Sequence, residues 1–296
     1  MPFLGAAKWL LLGGLLGSNL AFAQPATASE QGGDLLAHRA VYELSLERAD
    51  RDTSVQDAAG LFVFQVKGSS CAGWTILSDI VLTIGDRAGG TIRTETQYRA
   101  FEAADGGVFT FQTETRSGAD DEAMVTGAAE RAEDGGLSIR RFDSGELQAS
   151  APMDTLFPNQ LTHAILDAAR ADERLVFATV FDGSHESGQA QPASVIIGAP
   201  VAPTVIDTIA ANGTAPGDGA PDAGERWDDF PTPSRAWPVK LSYFDPTATD
   251  SGPSFVVSYT LDTNGVSDDL ILDYGSFSLR GVLSDFTAFL PSACPE

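Results

Sequence analysis

Apolar and polar residues alternate along most of the first half of the chain, which is typical of half-buried β-strands. In the first such stretch Ala40, Tyr42 and Leu44 share one face, and the residues between them are mostly charged or polar. Two stretches are more continuously apolar and predict strands with less solvent on either face. The predicted strands are 38–48, 61–66, 74–84, 91–101, 108–116, 124–131 and 137–142. Short turns separate several of them, so we expect an antiparallel meander.

The second half of the chain combines one helix with further strands. Pro158 suits the first turn of a helix. Leu161, Ile165 and Ala168 follow at helical spacing and would bury one face. Later strands are predicted at 175–181, 195–197, 237–244, 254–261, 270–274 and 277–283. Antiparallel sheets of this size usually roll into a barrel or wrap around something, so we predict a mainly β fold: a large, curled, barrel-like sheet with one long helix.

The N-terminus has the pattern of a secretory signal peptide. Lys8 precedes an apolar run over 9–20, and Ala21-Phe22-Ala23 is a suitable cleavage site. We therefore predict a signal peptide over 1–23, cleaved after Ala23, and a protein of the periplasm. Gln24 follows the site instead of a cysteine, which argues against a lipid-modified N-terminus. No later stretch is long and apolar enough to predict a transmembrane segment.

Composition limits the classes of partner. The 296-residue chain has a net charge of −23, and removing residues 1–23 takes away one Lys and no acid, so the mature charge is −24. We do not expect a protein with this charge to bind nucleic acid or anionic lipid head groups. The segment 210–233 lacks the apolar residues to pack, and we interpret it as a mobile low-complexity loop. We expect a disordered segment over 24–34, and a single domain over 35–296 that is monomeric.

The two cysteines, Cys71 and Cys294, are the main candidate site residues, as a disulfide pair. An even number of cysteines in an exported chain favours a disulfide. This bond would clamp the last strand to an early one and close a loop of more than two hundred residues. The alternative is a pair of free, buried thiols.

Catalytic signals are weak. His38, His163 and His185 lack metal-ligand spacing, and His163 is interpreted as a structural residue of the helix. The segment 182–186 (DGSHE) contains a serine, a histidine and acids, but members of a catalytic triad normally come from separate elements, so a polar turn is favoured. We assign no catalytic, metal or cofactor-binding residue and no cofactor. Adjacent acids are plentiful, and Asp268-Asp269 is an example predicted to lie in a turn; they leave open a hydrolase that uses a carboxylate pair.

Aromatic residues are concentrated around the cysteines and in the C-terminal third. Core packing explains most of them. A curled sheet covered by a helix also creates an apolar concavity, which would suit a lipid or a peptide.

Several short motifs occur in an order that resembles a known family. They are 37–44 (AHRAVYEL), 68–74 (GSSCAGW), 156–158 (LFP), 180–184 (VFDGS), 237–239 (WPV), 242–244 (SYF), 264–266 (NGV), 273–275 (DYG), 290–291 (LP) and Cys294. Together they resemble the cell-envelope-integrity EipB family, formerly a domain of unknown function, over about residues 35–295. The low-complexity insertion near 210–230 departs from the family pattern.

The resemblance implies a periplasmic protein with a large antiparallel β-spiral around a bent helix, similar in outline to lipoprotein carriers and receptors. It also implies a disulfide between Cys71 and Cys294, a role in envelope integrity, and no enzymatic activity. We therefore expect a non-enzymatic factor that binds a lipid, a lipoprotein or an envelope protein partner. The alternatives are a periplasmic hydrolase acting on envelope polysaccharide and a purely structural scaffold.

Overall fold

The alternating segments of the sequence form one sheet of 15 strands in the computed structural model. The structure describes residues 35–118, 121–142, 147–185, 188–203, 232–248 and 252–294. The strands are β1 (His38–Ala49), β2 (Val55–Ser69), β3 (Gly73–Asp86), β4 (Thr91–Glu102), β5 (Val108–Ser117), β6 (Asp121–Arg131), β7 (Leu137–Arg141), β8 (Leu147–Ala151), β9 (Thr155–Leu156), β10 (Leu175–Val180), β11 (Gln191–Ile197), β12 (Ala236–Tyr243), β13 (Phe255–Asp262), β14 (Ser267–Asp273) and β15 (Phe277–Ala288). The mainly β prediction is confirmed.

The strand order is a meander that runs outwards from β1 in both directions. From one edge to the other it is β8-β7-β6-β5-β4-β3-β2-β1-β15-β14-β13-β12-β11-β10-β9. The first and last strands are therefore neighbours in the middle of the sheet, with His38 opposite Ala288 and Leu44 opposite Gly281. Neighbouring strands are antiparallel except β9 and β10, which are parallel.

The sheet curls until its two edges nearly meet. The edge strands β8 and β9 are joined directly by residues 152–154. Ala149 and Ala151 of β8 line the same surface cleft as Thr179 of β10, the neighbour of β9. Strong twist and curl are expected in a sheet of this many strands. The result is a nearly closed, barrel-like sheet.

The helix α1 (Pro158–Arg170) is shorter than predicted. It has 13 residues, so the expected long helix is corrected to one of about 20 Å. Asp172 adopts a positive φ of 58° just after it, where the chain turns towards β10. The apolar face is where the periodicity places it, since Leu161, Ile165 and Leu166 are buried and belong to the main hydrophobic core.

Other predictions have mixed outcomes. The hairpin turns at 105–107, 134–136 and 262–265 connect antiparallel strands, as predicted. Asp268 and Asp269 lie within β14 and not in a turn, which corrects that prediction. The signal peptide with its cleavage site, the segment 24–34 and most of the predicted mobile loop lie outside the described residues. Within the described ranges, no helix has the length and apolar character needed to cross a membrane.

Candidate functional site

The inside of the curled sheet contains a cavity of about 920 Å³. Its walls come from β2 to β5 on one side and from β11 to β14 on the other, and the first half of α1 completes them. The lining residues of the strands are Phe62, Phe64, Ile76, Ser78, Ile80, Thr96, Tyr98, Thr113, Gln191, Leu241, Tyr243, Phe255, Val257, Tyr259, Leu270 and Leu272, and Tyr274 follows β14 directly. Alternation along each strand directs these side chains to the inner face. The wall is predominantly apolar and aromatic, as in sites for small ligands.

A buried carboxylate fixes the helix that closes one wall of the cavity. Glu102, at the end of β4, is only 3% exposed. Its Oε2 accepts the N–H of Asn159 at 2.9 Å, and its Oε1 accepts the N–H of Gln160 at 3.2 Å. These amides are among the unpaired donors of the first helical turn, so a strand carboxylate performs the capping role that Phe157 cannot. Burial raises the pKa of Glu102 above its ordinary value, and the hydrogen bonds from the two helix amides offset only part of this rise.

The cavity opens to solvent beside two polar loops. Among its lining residues, Ser184, Thr247 and Tyr274 are exposed. Ser184 lies in the loop that follows β10, and Thr247 lies in the loop that follows β12. We call the five polar lining residues of these loops the rim: Asp182, Ser184, His185, Asp245 and Thr247. The site thus has an apolar interior and a polar entrance.

The two rim loops are built in the same way. Asp182 Oδ1 accepts hydrogen bonds from the backbone N–H of Ser184 at 2.8 Å and from its hydroxyl at 2.7 Å. Asp245 Oδ1 accepts the corresponding two bonds from Thr247, both at 2.7 Å. An aspartate that bonds to the backbone two residues on forms an Asx turn, so each carboxylate holds its own loop in shape. The loops also approach each other, with His185 Nε2 3.9 Å from Asp245 Oδ1.

The charge of the rim is negative. The hydroxyl and amide of Thr247 lower the pKa of Asp245, so this carboxylate is ionised at neutral pH.

Gly183, with a φ of 74°, packs so closely on the Phe111 ring that a Cβ atom would clash with it at 2.4 Å. Glycine is therefore required between Asp182 and Ser184, and it positions this acidic turn against the core.

Tyrosine side chains provide neutral polar groups within the wall. Tyr98 donates its hydroxyl hydrogen to the backbone oxygen of Asp182 at 2.8 Å. Burial raises the pKa of Tyr98 and of Tyr243 well above the usual value, and the charge of Asp182 adds to the rise in both. Both phenols therefore stay protonated and lie near the rim carboxylate.

Two buried polar atoms of the wall lack hydrogen bonds of normal geometry: Thr113 Oγ1 and Asn159 Nδ2. Asn159 is 6% exposed and lies at the start of α1, where its amide borders the cavity. Buried polar atoms usually have a partner. The side chain of Asn159 lies close enough to Glu102 to lower its pKa, so Thr113 Oγ1 is the better candidate to bond a polar group of a molecule inside the cavity.

The predicted cysteine pair lies away from the cavity. The structure joins Cys71, in the turn between β2 and β3, to Cys294, with their Cα atoms 5.2 Å apart. Near the bond, the N–H of Ser292 donates to the oxygen of Gly68 at 3.0 Å, and Lys67 Nζ lies 4.2 Å from the centre of the Phe289 ring. The C-terminal segment is thus packed against an early hairpin. The formation of the bond in the exported protein stays a prediction.

The histidines occupy three different environments. His38 is buried, donates a hydrogen bond from Nδ1 to the carbonyl oxygen of Leu36 at 2.7 Å, and stacks on Phe286. His163 is half-buried on α1, and His185 belongs to the rim. The described part of the chain contains no group of three or more His, Cys, Asp or Glu side chains arranged to hold a metal ion. Nothing in the sequence pattern singles out Asp245, and the segment 182–186 is predicted only as a polar turn.

Comparisons with known proteins agree with this architecture. A family model described as EipB-like matches residues 29–290. The cell envelope integrity protein EipB of Brucella abortus (strain 2308) is 29% identical over 250 residues, which cover 84% of this chain and 82% of that protein. The crystal structure of a beta-barrel-like protein of a domain of unknown function, also from Brucella abortus, superimposes with a TM-score of 0.72 at 26% identity, covering 86% of this chain and 98% of that one.

These matches extend over nearly all of the sheet, the helix and the cavity. The family model spans from before β1 to beyond β15, so it includes every strand that lines the cavity. The motifs found in the sequence also fall on structural features described above: 180–184 leads into the first rim loop, and 68–74 holds the disulfide turn. The chain belongs to the EipB-like family.

Proposed function

We propose that this protein is a non-enzymatic periplasmic factor that supports cell envelope integrity by binding the apolar part of a lipid or lipoprotein in its cavity. The observation that carries the proposal is the open, largely apolar cavity of about 920 Å³. Membership of the EipB-like family supports the envelope role. Export through the signal peptide over 1–23, with cleavage after Ala23, would bring a monomeric protein to the compartment where such ligands occur.

The volume and chemistry of the cavity fit an acyl chain. It lies at the upper end of the range for ligand sites, about 300–1,000 Å³. Each buried methylene contributes about 0.8 kcal/mol, so a chain of about twelve carbons gives roughly 9 kcal/mol before costs. Association costs at least about 4 kcal/mol. The remaining 5 kcal/mol or so corresponds to a Kd on the order of 0.1 mM.

A cavity-filling variant tests the proposal. Ser78 lies on the inner face of β3 and lines the cavity, whereas Thr75 on the same strand is exposed on the outer face. Ser78→Phe adds a ring inside the cavity without removing a core side chain, and Thr75→Phe adds the same ring outside. Calorimetric titration with dodecyl maltoside, below its micelle-forming concentration, should show binding to the wild type and to Thr75→Phe and at least tenfold weaker binding to Ser78→Phe. Equal affinity of all three proteins, or no binding to the wild type of dodecyl maltoside or of any dodecyl ligand with a charged head, would refute the proposal.

A further inference from the structure

The polar and apolar parts of the cavity are separated in space, which indicates how an amphiphilic ligand is oriented. The interior wall consists mainly of aliphatic and aromatic side chains, while the solvent-exposed lining residues cluster at the two rim loops and Tyr274. A ligand with one apolar tail and one polar head would bury the tail and leave the head at the rim. The chemistry of the rim therefore selects the head group.

The rim contains two acids and one histidine, but no lysine or arginine among its described residues. Of the described residues that line the cavity, Asp182 and Asp245 are the carboxylates, and none is Lys or Arg. His185 faces Asp245 at 3.9 Å. An anionic head group at the rim would meet two carboxylates and no arginine fork or lysine ammonium, and bringing like charges together costs free energy. The rim thus disfavours phosphate, sulfate and carboxylate heads that carry a net negative charge.

The two rim carboxylates are hydrogen-bond acceptors on adjacent loops. In each, the hydrogen bonds within the loop converge on Oδ1. A protonated amine has three N–H donors and one positive charge, so it matches two such acceptors on adjacent loops.

Aromatic rings beside the rim suit the same charge. Tyr243, Phe255 and Tyr274 form a row along the cavity wall, with ring centroids 6.4 Å and 5.1 Å apart between successive members. The face of an aromatic ring attracts cations, and groups of rings recognise ammonium ligands in other proteins. The row includes the exposed Tyr274, so it extends from the interior to the entrance.

We propose that the cavity selects amphiphiles whose head group carries an ammonium ion, with Asp182 and Asp245 as the residues that determine this preference. The inference rests on the proposed function, because it requires that the cavity accepts an apolar tail. It adds the charge of the head group, which the apolar cavity alone does not specify.

Three ligands with the same tail separate the two proposals. Dodecylamine, dodecyl maltoside and dodecanoate carry a positive, a neutral and a negative head, and each is titrated at pH 8 below its micelle-forming concentration. We expect dodecylamine to bind at least about tenfold more tightly than dodecanoate, with the maltoside between them. The difference should shrink as salt is added, because the rim is partly exposed.

Paired variants assign the preference to the rim. Asp182→Asn with Asp245→Asn removes both charges and keeps side-chain oxygens for the turns. The control is Asp105→Asn with Asp134→Asn, two aspartates that form the same kind of turn in hairpins outside the cavity. The rim variant should lose the preference for the amine, and the control should keep it. Equal preference in both variants, or similar binding of all three ligands to the wild type, overturns this inference and leaves the proposed function intact. Failure of all three ligands to bind overturns the proposed function.

Discussion

Removing the disulfide should destabilise the protein mainly through the unfolded state. The bond links residues separated by 223 positions. In the chain-entropy model, closing a loop of that length removes enough freedom from the unfolded chain to contribute about 5 kcal/mol. The relevant variant is Cys71→Ser with Cys294→Ser, which leaves no free thiol.

The folded state of this variant should remain close to the wild type. Its C-terminal segment keeps two backbone hydrogen bonds, from Phe289 to Ala37 at 2.7 Å and from Ser292 to Gly68 at 3.0 Å. The loss of free energy should therefore be about 3–5 kcal/mol, with native strain accounting for any shortfall. The unfolded chain also becomes less compact, so the dependence of the unfolding free energy on urea should become steeper.

Urea unfolding at 25 °C, followed by tryptophan fluorescence, measures both effects. Trp74 and Trp237 are buried, with 4% and 2% exposure, and report on the core. Wild-type protein that has been reduced and alkylated serves as the control and should match the double variant. A loss below 1 kcal/mol, or free thiols found by peptide mapping of the native protein, would contradict the reasoning.

Three further predictions concern the core, the pH dependence and catalysis. Leu166→Ala should lower the free energy of unfolding in urea by about 4 kcal/mol, and Leu161→Ala should lower it by only about 2 kcal/mol. Leu161 already borders the cavity, whereas Leu166 lies in packed core. Equal losses would argue against an empty cavity. Burial lowers the pKa of His38 to about 4, so the contribution of His38 to the free energy of unfolding should fall by about 3 kcal/mol as the pH drops from 6.5 to 4. Burial raises the pKa of Asp262 to about 6, and its protonation stabilises the folded state over the same range, so the measurement is the difference between the wild type and His38→Asn. The wild type should lose about 3 kcal/mol relative to this variant, and the same pH dependence in both proteins would refute the prediction. Incubation with peptidoglycan and model esters should give no turnover; activity that Asp182→Asn or Asp245→Asn abolishes in a folded protein would instead establish the hydrolase alternative.

The strands could be predicted from the sequence because each carries its own pattern. Tyr42 and Leu44 alternate with polar residues and are buried, as the period of two requires. The end of the helix was less predictable, because Arg170 and the residues after it contain neither glycine nor proline to mark it. The turn at Asp172 depends on a positive φ, which aspartate adopts only occasionally.

An apolar concavity could be predicted in general terms, but its volume and its lining could not, because a sequence shows which side chains face inwards and not the space left between them. Tyr98, Tyr243 and Phe255 have the same pattern whether they fill a core or line an opening. The rim residues could not be recognised from the sequence for another reason. Asp245-Pro246-Thr247 has the composition of an ordinary turn. Only the curl of the sheet brings it within 3.9 Å of His185.

The strand order has a consequence for how the chain folds. The pairing of β1 with β15 in the middle of the sheet joins strands from the two ends of the domain. Pairings between segments so distant in sequence slow folding. If the first and last strands were joined by a short linker, and the chain were reopened between β8 and β9, every neighbouring pair would become consecutive in sequence. Phe289 and Ala37 are already hydrogen-bonded, so this linker would span little distance. A circular permutant opened at residues 152–154 should therefore reach the same barrel-like sheet by local steps alone, and faster than the natural order of strands allows.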